Sequence, residues 1–257
     1  MNVIYKPKGR ALEYAPWACN LYIGCTHGCT YCYAPGCLRK KSEMYHQSSV
    51  ARNEIVSLFE RDAKSLVARY SDDDKCRVLF CFLSDPYQPI EGRLHITRKC
   101  IQVAQSVGVK LDILTKGAYK YVRPDLPLMK SAGVHLGVTL CYVNDDLRAH
   151  WEPEASTVAD RLKLLREAHS LGIYTWISME PVIDPSEALQ LIDVAHEYVD
   201  FWKVGKLNYN KAVEERVDWH RFYYDVTKRL KSYQCKYYIK KSLKQFARKV
   251  RPIKVVV

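Results

Sequence analysis

The chain runs to 257 residues, 48% of them hydrophobic, enough for one sizeable core with appendages. No apolar run reaches membrane-spanning length and Met1–Arg10 lacks a secretory apolar region, which argues against membrane and exported classes and predicts a soluble, cytoplasmic protein. The net charge of +12 is concentrated at one end: residues 228–257 hold eleven Lys or Arg and no acid, against 29 basic and 28 acidic groups before them. A basic segment of this kind points to a nucleic-acid partner, with a solvated helix face as the plainer alternative.

Residues 1–18, with Pro7, Gly9 and Pro16, read as an irregular lead-in. A short first strand is predicted over 19–24, running into Cys25-Thr-His-Gly-Cys29-Thr-Tyr-Cys32-Tyr-Ala34. A polar stretch with Arg39, Lys40 and Lys41 follows. Ile55, Phe59, Leu66 and Val67 share one face of a predicted helix over 49–70. Arg77–Leu83 reads as a buried second strand, followed by the Pro-rich loop Ser84-Asp-Pro-Tyr-Gln-Pro89. A helix over 97–107 stops at Gly108. A third strand over 109–114 leads to Thr115-Lys116 and a partly helical 119–132. A fourth strand over 134–140 leads through a loop to a helix over 157–171. A fifth strand over 173–178 is followed by Glu180-Pro181 and a helix over 186–198 capped by Ser186. The sixth strand, 200–205, ends in Lys206 and Asn208. Helices over 214–231 and 239–250 are predicted to finish the chain, the second docking through Ile239, Leu243, Phe246 and Val250.

Six strand-then-helix units predict an α/β fold: a parallel sheet with helices outside, open as a partial (β/α)6 TIM-type barrel. The expected division is a lead-in over 1–18, a barrel core over 19–212 and a basic helical extension over 213–257. In parallel barrels the loops leaving the strand C-termini build the site. Each predicted strand is followed by polar residues: the three cysteines, then Ser84, Asp85, Tyr87 and Gln88, then Thr115 and Lys116. Thr139 and Cys141, then Glu180, then Lys206 and Asn208 complete that rim.

Three cysteines at C-x3-C-x2-C can converge on one soft metal centre, because Gly24 and Gly28 let the short loop fold back. A structural zinc site wants four ligands, and here the local set stops at three. Three thiolates on a 4Fe–4S cubane leave one iron open for a substrate or second cofactor. A zinc knuckle or unconnected buried cysteines remain the alternatives. Cluster ligation needs reduced thiols, in keeping with a reducing compartment.

The motif, with Tyr31 before the last cysteine, resembles the signature of the radical S-adenosylmethionine (SAM) superfamily, in the branch containing spore photoproduct lyase. The resemblance implies a 4Fe–4S cluster on Cys25, Cys29 and Cys32, S-adenosylmethionine on the open iron, and an electron donor such as flavodoxin or ferredoxin. It extends through Ser84-Asp85, Thr115-Lys116, Trp151-Glu-Pro153 and Asp160-Arg161. It places the cofactor against Tyr31, Tyr33, Ser84, Asp85 and Lys116, with Thr139 at the fourth strand. Glu152 and Arg161 are ligands or a structural ion pair. The lyase's hydrogen-donating cysteine corresponds to Phe82, and Cys81 points to the opposite face. Cys141 is the substitute candidate, with Tyr87 and Glu180 as further catalytic candidates. Arg39, Lys40, Lys41, Lys206, Asn208, Lys240 and Lys241 are expected to hold the substrate. The expected function is radical chemistry on a base in DNA, as lesion repair or modification. A small-molecule or peptide substrate, and a non-catalytic Fe–S or zinc nucleic-acid-binding protein, are the rivals.

Overall fold

Alternation of short apolar runs with amphipathic helices produces an eight-stranded sheet in the computed structural model, which describes residues 2–70 and 73–247. The strands lie side by side in chain order: β1 (Ile4–Tyr5), β2 (Trp17–Cys19), β3 (Val78–Phe80), β4 (Leu111–Thr115), β5 (His135–Thr139), β6 (Thr175–Val182), β7 (Phe201–Lys206) and β8 (Tyr237–Ile239). β1 is antiparallel to β2; all later neighbours are parallel. The main helices are α1 (Ile55–Arg69), α2 (Ile96–Val107), α3 (Leu126–Ser131), α4 (Val158–Ser170), α5 (Pro185–Ala195) and α6 (Trp219–Ser232). Among the described residues no helix is long and apolar enough to cross a membrane.

The period-two alternation of the strands sorts the two faces of the sheet. Phe80, Ile113, Val138, Ile177, Trp202 and Ile239 pack in the large core shared with helix residues such as Phe59, Ile101, Leu164 and Phe222. Leu79, Leu114, Trp176 and Phe201 face the other way and meet Tyr14, Ala15 and Phe82 in a smaller cluster. The second face is the lumen of the open barrel. Phe82 and Cys81 fall on opposite sides as expected, although the strand ends at Phe80 and Cys81 stays on the same side as Phe80, so the alternation of β3 does not run through them.

Several boundaries differ from expectation. The first strand is Trp17–Cys19, not 19–24. The chain leaves the sheet at Asn20, whose Oδ1 accepts from the N–H groups of Phe82 (2.9 Å) and Leu83 (2.8 Å) in place of a ladder. Tyr22–Ile23 instead pairs antiparallel with Val50–Ala51, which delays α1 to Ile55. The cap of α5 is Asp184 rather than Ser186, leaving Pro185 at the first turn, where a missing N–H costs nothing. The helix expected over 239–250 is the largest correction. Tyr237, Tyr238 and Ile239 pair with Trp202, Lys203 and Val204 as a seventh parallel strand, because aromatic and β-branched residues fit a pleated, half-buried position. Only Lys241–Lys244 and the 3-10 turn Gln245–Ala247 are helical; Arg248, Lys249 and Val250 lie outside the described residues. Residues 1–18 thus supply β1 and most of β2, and residues 213–247 supply β8.

Candidate active site

The cysteine loop leaves the C-terminal end of β2 and is clamped on every side. Gly24 (φ +81°) turns it so tightly that a Cβ would collide with the Ser48 carbonyl. The Cys25 carbonyl meets the His46 ring Nδ1 at 2.7 Å, and the Cys32 N–H donates to the Cys29 carbonyl at 3.1 Å. Thr30 N–H donates to the Trp151 carbonyl (2.9 Å) and Glu154 N–H to the His27 carbonyl (3.1 Å). Gln88, fully buried, accepts from Thr26 N–H at 3.2 Å and donates to the carbonyls of Asp85 (3.2 Å) and Gly24 (3.4 Å). Burial pushes the Cys29 thiol up to about 12 and raises Cys25 and Cys32 as well. Such thiols ligate only when a metal displaces their protons.

Asp85 joins this loop to β4. Its carboxylate accepts from Tyr87 N–H (2.8 Å), the Thr115 hydroxyl (2.6 Å) and Lys116 N–H (2.7 Å), and lies 3.6 Å from His27 Nδ1. Burial holds the His27 imidazole below its ordinary pKa, against the pull of Asp85. The Lys116 backbone is thereby pinned, while its ammonium stands 5.8 Å from the centre of the Tyr31 ring. Burial opposes that charge, but Cys29 and Glu152 outweigh burial and hold the ammonium above the usual lysine value.

Behind Tyr31 lies a fully buried ion pair, Arg161 Nη1 to Glu152 Oε2 at 2.6 Å. The Tyr31 hydroxyl donates to Glu152, and Arg161 also donates to the carbonyls of Thr139 (2.9 Å) and Ser156 (2.8 Å). Burial alone would protonate Glu152; Arg161 and Lys116 overcome it and hold the carboxyl below its ordinary pKa. Through the Tyr31 hydroxyl and the carbonyls of Thr139 and Ser156, the buried pair ties the segment that clamps the cysteine loop to β5 and to Tyr31.

Residues 19–198 match the family description of the Radical SAM superfamily. The chain belongs to the radical SAM superfamily. Members use a 4Fe–4S cluster and S-adenosylmethionine, so the protein is an enzyme of that type. An uncharacterized protein of Methanocaldococcus jannaschii is 26% identical over 202 residues, covering 78% of this chain and 73% of the relative. An uncharacterized protein of Mycobacterium tuberculosis is 26% identical over 189 residues, 69% of this chain. The chain spans 52% of that relative's length. A spore photoproduct lyase variant, solved with AdoMet and dinucleoside spore photoproduct, superposes with TM-score 0.66 at 16% identity, covering 88% of this chain and 76% of the lyase. SuiB of Streptococcus suis bound to S-adenosylmethionine gives TM-score 0.66 at 12% identity, with 90% and 51% coverage. At such identities the likeness shows the fold.

The residues of this radical SAM chain fit those cofactors. Three soft donors share one loop, and the Ser84 hydroxyl is buried without a hydrogen-bond partner beyond the neighbouring Cys81 thiol. The Lys116 ammonium makes no hydrogen bond or ion pair among the described residues, leaving a charge free for a carboxylate or ribose oxygen. No three His, Cys, Asp or Glu side chains among the described residues stand pre-gathered at metal distances, so the fit lies in donor type and spacing.

Other expected site residues are placed differently. Tyr87 is no rim residue: it is fully buried, and its hydroxyl donates to Asp125 Oδ2 at 2.8 Å among the helices. Asp85 has both oxygens occupied by the protein. Tyr33 is half-exposed, its hydroxyl donating to the Phe82 carbonyl at 2.7 Å. Thr139 is buried at the end of β5, and Cys141 is buried just beyond it beside Leu140 and Tyr142, with Glu152, Lys116 and Arg161 as its charged neighbours. Glu180 faces the lumen, but its Oε2 accepts from the Tyr14 hydroxyl (2.6 Å) and from Lys240 Nζ (2.5 Å). Lys240, only 2% exposed, is therefore a lumen residue and not a surface phosphate binder. Lys206 is likewise buried, paired with Glu214, and Asn208 donates to the Lys206 carbonyl at 2.9 Å. Arg39 and Lys241 are exposed.

Sequence reading missed Tyr14. It enters the lumen from the irregular lead-in, with its hydroxyl 2.7 Å from Ser178 Oγ and its ring against Phe82, Trp176, Lys203 and Lys240. No periodic pattern surrounds it that could have pointed inward. Gln88 was expected on the rim and is instead buried beneath the cysteine loop, while Lys203 was visible only as a member of a strand. Burial lowers the Lys203 ammonium to about 8, with Lys240 adding to the effect and Asp112 and Glu180 opposing it.

Proposed function

We propose that this enzyme acts on a nucleic-acid base, in DNA, repairing or modifying a thymine-type base. The observation that carries the reading is the run Arg39-Lys40-Lys41 directly behind the cysteine loop. All three side chains are exposed, and none makes an ion pair among the described residues. Uncompensated cations at that place suit a phosphate backbone lying across the rim. Tyr14 supports the same reading: it fills the lumen between β3, β6 and β8, so a reacting group is best presented at the rim by a larger molecule.

With cluster and S-adenosylmethionine bound, the site would supply 5′-deoxyadenosyl radical chemistry, hydrogen-atom abstraction from the substrate. Cys25, Cys29 and Cys32 hold the cluster in this proposal. Ser84, Lys116, Tyr31, Tyr33 and Thr139 line the cofactor, while Asp85, Gln88 and the Glu152–Arg161 pair hold their segments in place. Cys141, kept protonated by burial, is the proposed hydrogen-atom donor. A flavodoxin or ferredoxin is the proposed electron source.

A peptide substrate is the second reading, favoured by SuiB, solved with its precursor peptide at TM-score 0.66. Anaerobic incubation with S-adenosylmethionine, reductant and ultraviolet-irradiated DNA, followed by mass analysis of nucleosides, tests the first. A changed thymine product is expected. Unaltered nucleosides across irradiated and modified DNA, with a peptide converted instead, would overturn it.

A further inference from the structure

A cleft of about 1130 Å³ opens between the N-terminal turn Gly9–Glu13, the segment after β7 and the short helix Lys241–Lys244. Its floor follows the C-terminal ends of β7 and β8, the same end of the sheet at which β2 delivers the cysteine loop. Arg10, Lys211 and Lys241 line it, and all three are exposed. The two acids of the lining are engaged elsewhere. Glu13 accepts from the Tyr238 hydroxyl (2.9 Å) and Lys241 N–H (2.8 Å), and Glu214 pairs with Lys206.

Tyr209 stands in this cleft 87% exposed, on a backbone with φ +69°. A left-handed conformation is costly for a bulky residue. Its ring is therefore held out against both its backbone preference and the tendency of aromatic surface to be buried. The Arg10 guanidinium lies 5.2 Å from the ring centre. An exposed ring beside a guanidinium, flanked by two further free cations, is the chemistry of a stacking platform in a phosphate-tracking groove.

Resting on the nucleic-acid reading above, we infer that this cleft seats a single-stranded or locally opened segment of the substrate strand. Tyr209 stacks on an unpaired base, while Arg10, Lys211 and Lys241 take the neighbouring phosphates. An unpaired segment is required because a base inside a duplex offers no free face to the ring. The buried Lys206 and Lys240 play no part in this contact; they set the floor of the cleft and the lumen beneath it.

The test is fluorescence anisotropy with a labelled oligothymidylate, titrated at several salt concentrations, with the matching duplex and polyglutamate as competitors. The parent is expected to prefer the single strand. Tyr209→Ala should weaken binding about tenfold with the salt slope unchanged, and Tyr209→Trp should restore it. Reversing Arg10, Lys211 and Lys241 to Glu should flatten the slope by about two, at roughly 0.7 per phosphate contact. If the parent binds and both variants bind equally well with the parent slope, the cleft assignment falls and the nucleic-acid reading stands. If the parent binds no oligonucleotide, or polyglutamate displaces it as readily as DNA does, the reading itself falls and the cleft assignment with it.

Discussion

Lys116, at the end of β4, and Lys240, at the end of β8, occupy equivalent places on the rim, yet the protein spends their charges in opposite ways. The Lys116 ammonium stands over Tyr31 without an ion-pair partner among the described residues. Lys240 is buried against Glu180 at 2.5 Å, and Lys206, at the end of β7, is buried against Glu214. At the end of β4 the lysine keeps its charge free, whereas at the ends of β7 and β8 the lysines of the strands themselves are spent on ion pairs, and the free cations there, among the described residues, are the cleft residues Arg10, Lys211 and Lys241. A count of basic residues measures charge; only the partners decide how much of it a ligand can meet.

The comparison breaks most severely at the cysteine loop. Replacing Cys25, Cys29 or Cys32 by Ala should take iron from about four per chain to near zero after anaerobic reconstitution, as iron analysis would read. Retention of the full iron content by any of the three variants would remove that cysteine from the ligand set. Glu152→Leu comes next. It strands the Arg161 guanidinium in the core and should cost about 3–5 kcal/mol in denaturant unfolding, while Glu152→Leu with Arg161→Met should recover much of that loss.

Lys240 and Lys116 sharpen the contrast directly. Lys240→Met should cost about 3 kcal/mol of stability, by leaving Glu180 without its cation, and leave oligonucleotide affinity unchanged. Lys116→Ala should do the reverse: cluster content and stability hold, while S-adenosylmethionine binding weakens by about tenfold or more, the worth of a charged hydrogen bond. Swapped outcomes in calorimetric titration and unfolding would invert the assignment of the two lysines.

The smallest effect concerns Lys203. Its folded-state pKa is lowered to about 8 from an ordinary 10.5, so between those values the unfolded chain holds a proton that the native chain has released. Stability should therefore rise with pH through that window on account of this residue. The parent should gain about 2 kcal/mol relative to Lys203→Met between pH 8 and 10.5, after allowance for partial solvent screening. Equal pH profiles for parent and variant would place the ammonium in water.

Much of the fold was legible because its signals are local. Buried strands such as Val78–Phe80, expected over 77–83, and helices such as that ending at Gly108 carry their apolar residues and their stop residue within a dozen positions. The helix expected through Ile239, Leu243 and Phe246 failed because the same residues satisfy a helix period by chance, and pairing with Trp202–Val204 decided for a strand. The site was legible where chemistry is written into spacing, as in the cysteine loop. Tyr87 was misplaced because a Pro-rich loop gives no phase from which to infer which way a side chain points, and Asp125 lies 38 residues away.

By itself the sequence determined the strand–helix alternation, the thiol spacing and the tight turns that the loop requires, since each is a property of neighbouring residues. It also determined the net charge. Only the tertiary structure decided which charges are free, because the partner of Lys240 lies 60 residues distant in Glu180 and that of Tyr14 lies 166 residues distant in the same carboxylate. Contacts of that separation depend on strand register and face, and burial then turns a formal charge into either a paired structural group or a ligand-binding one.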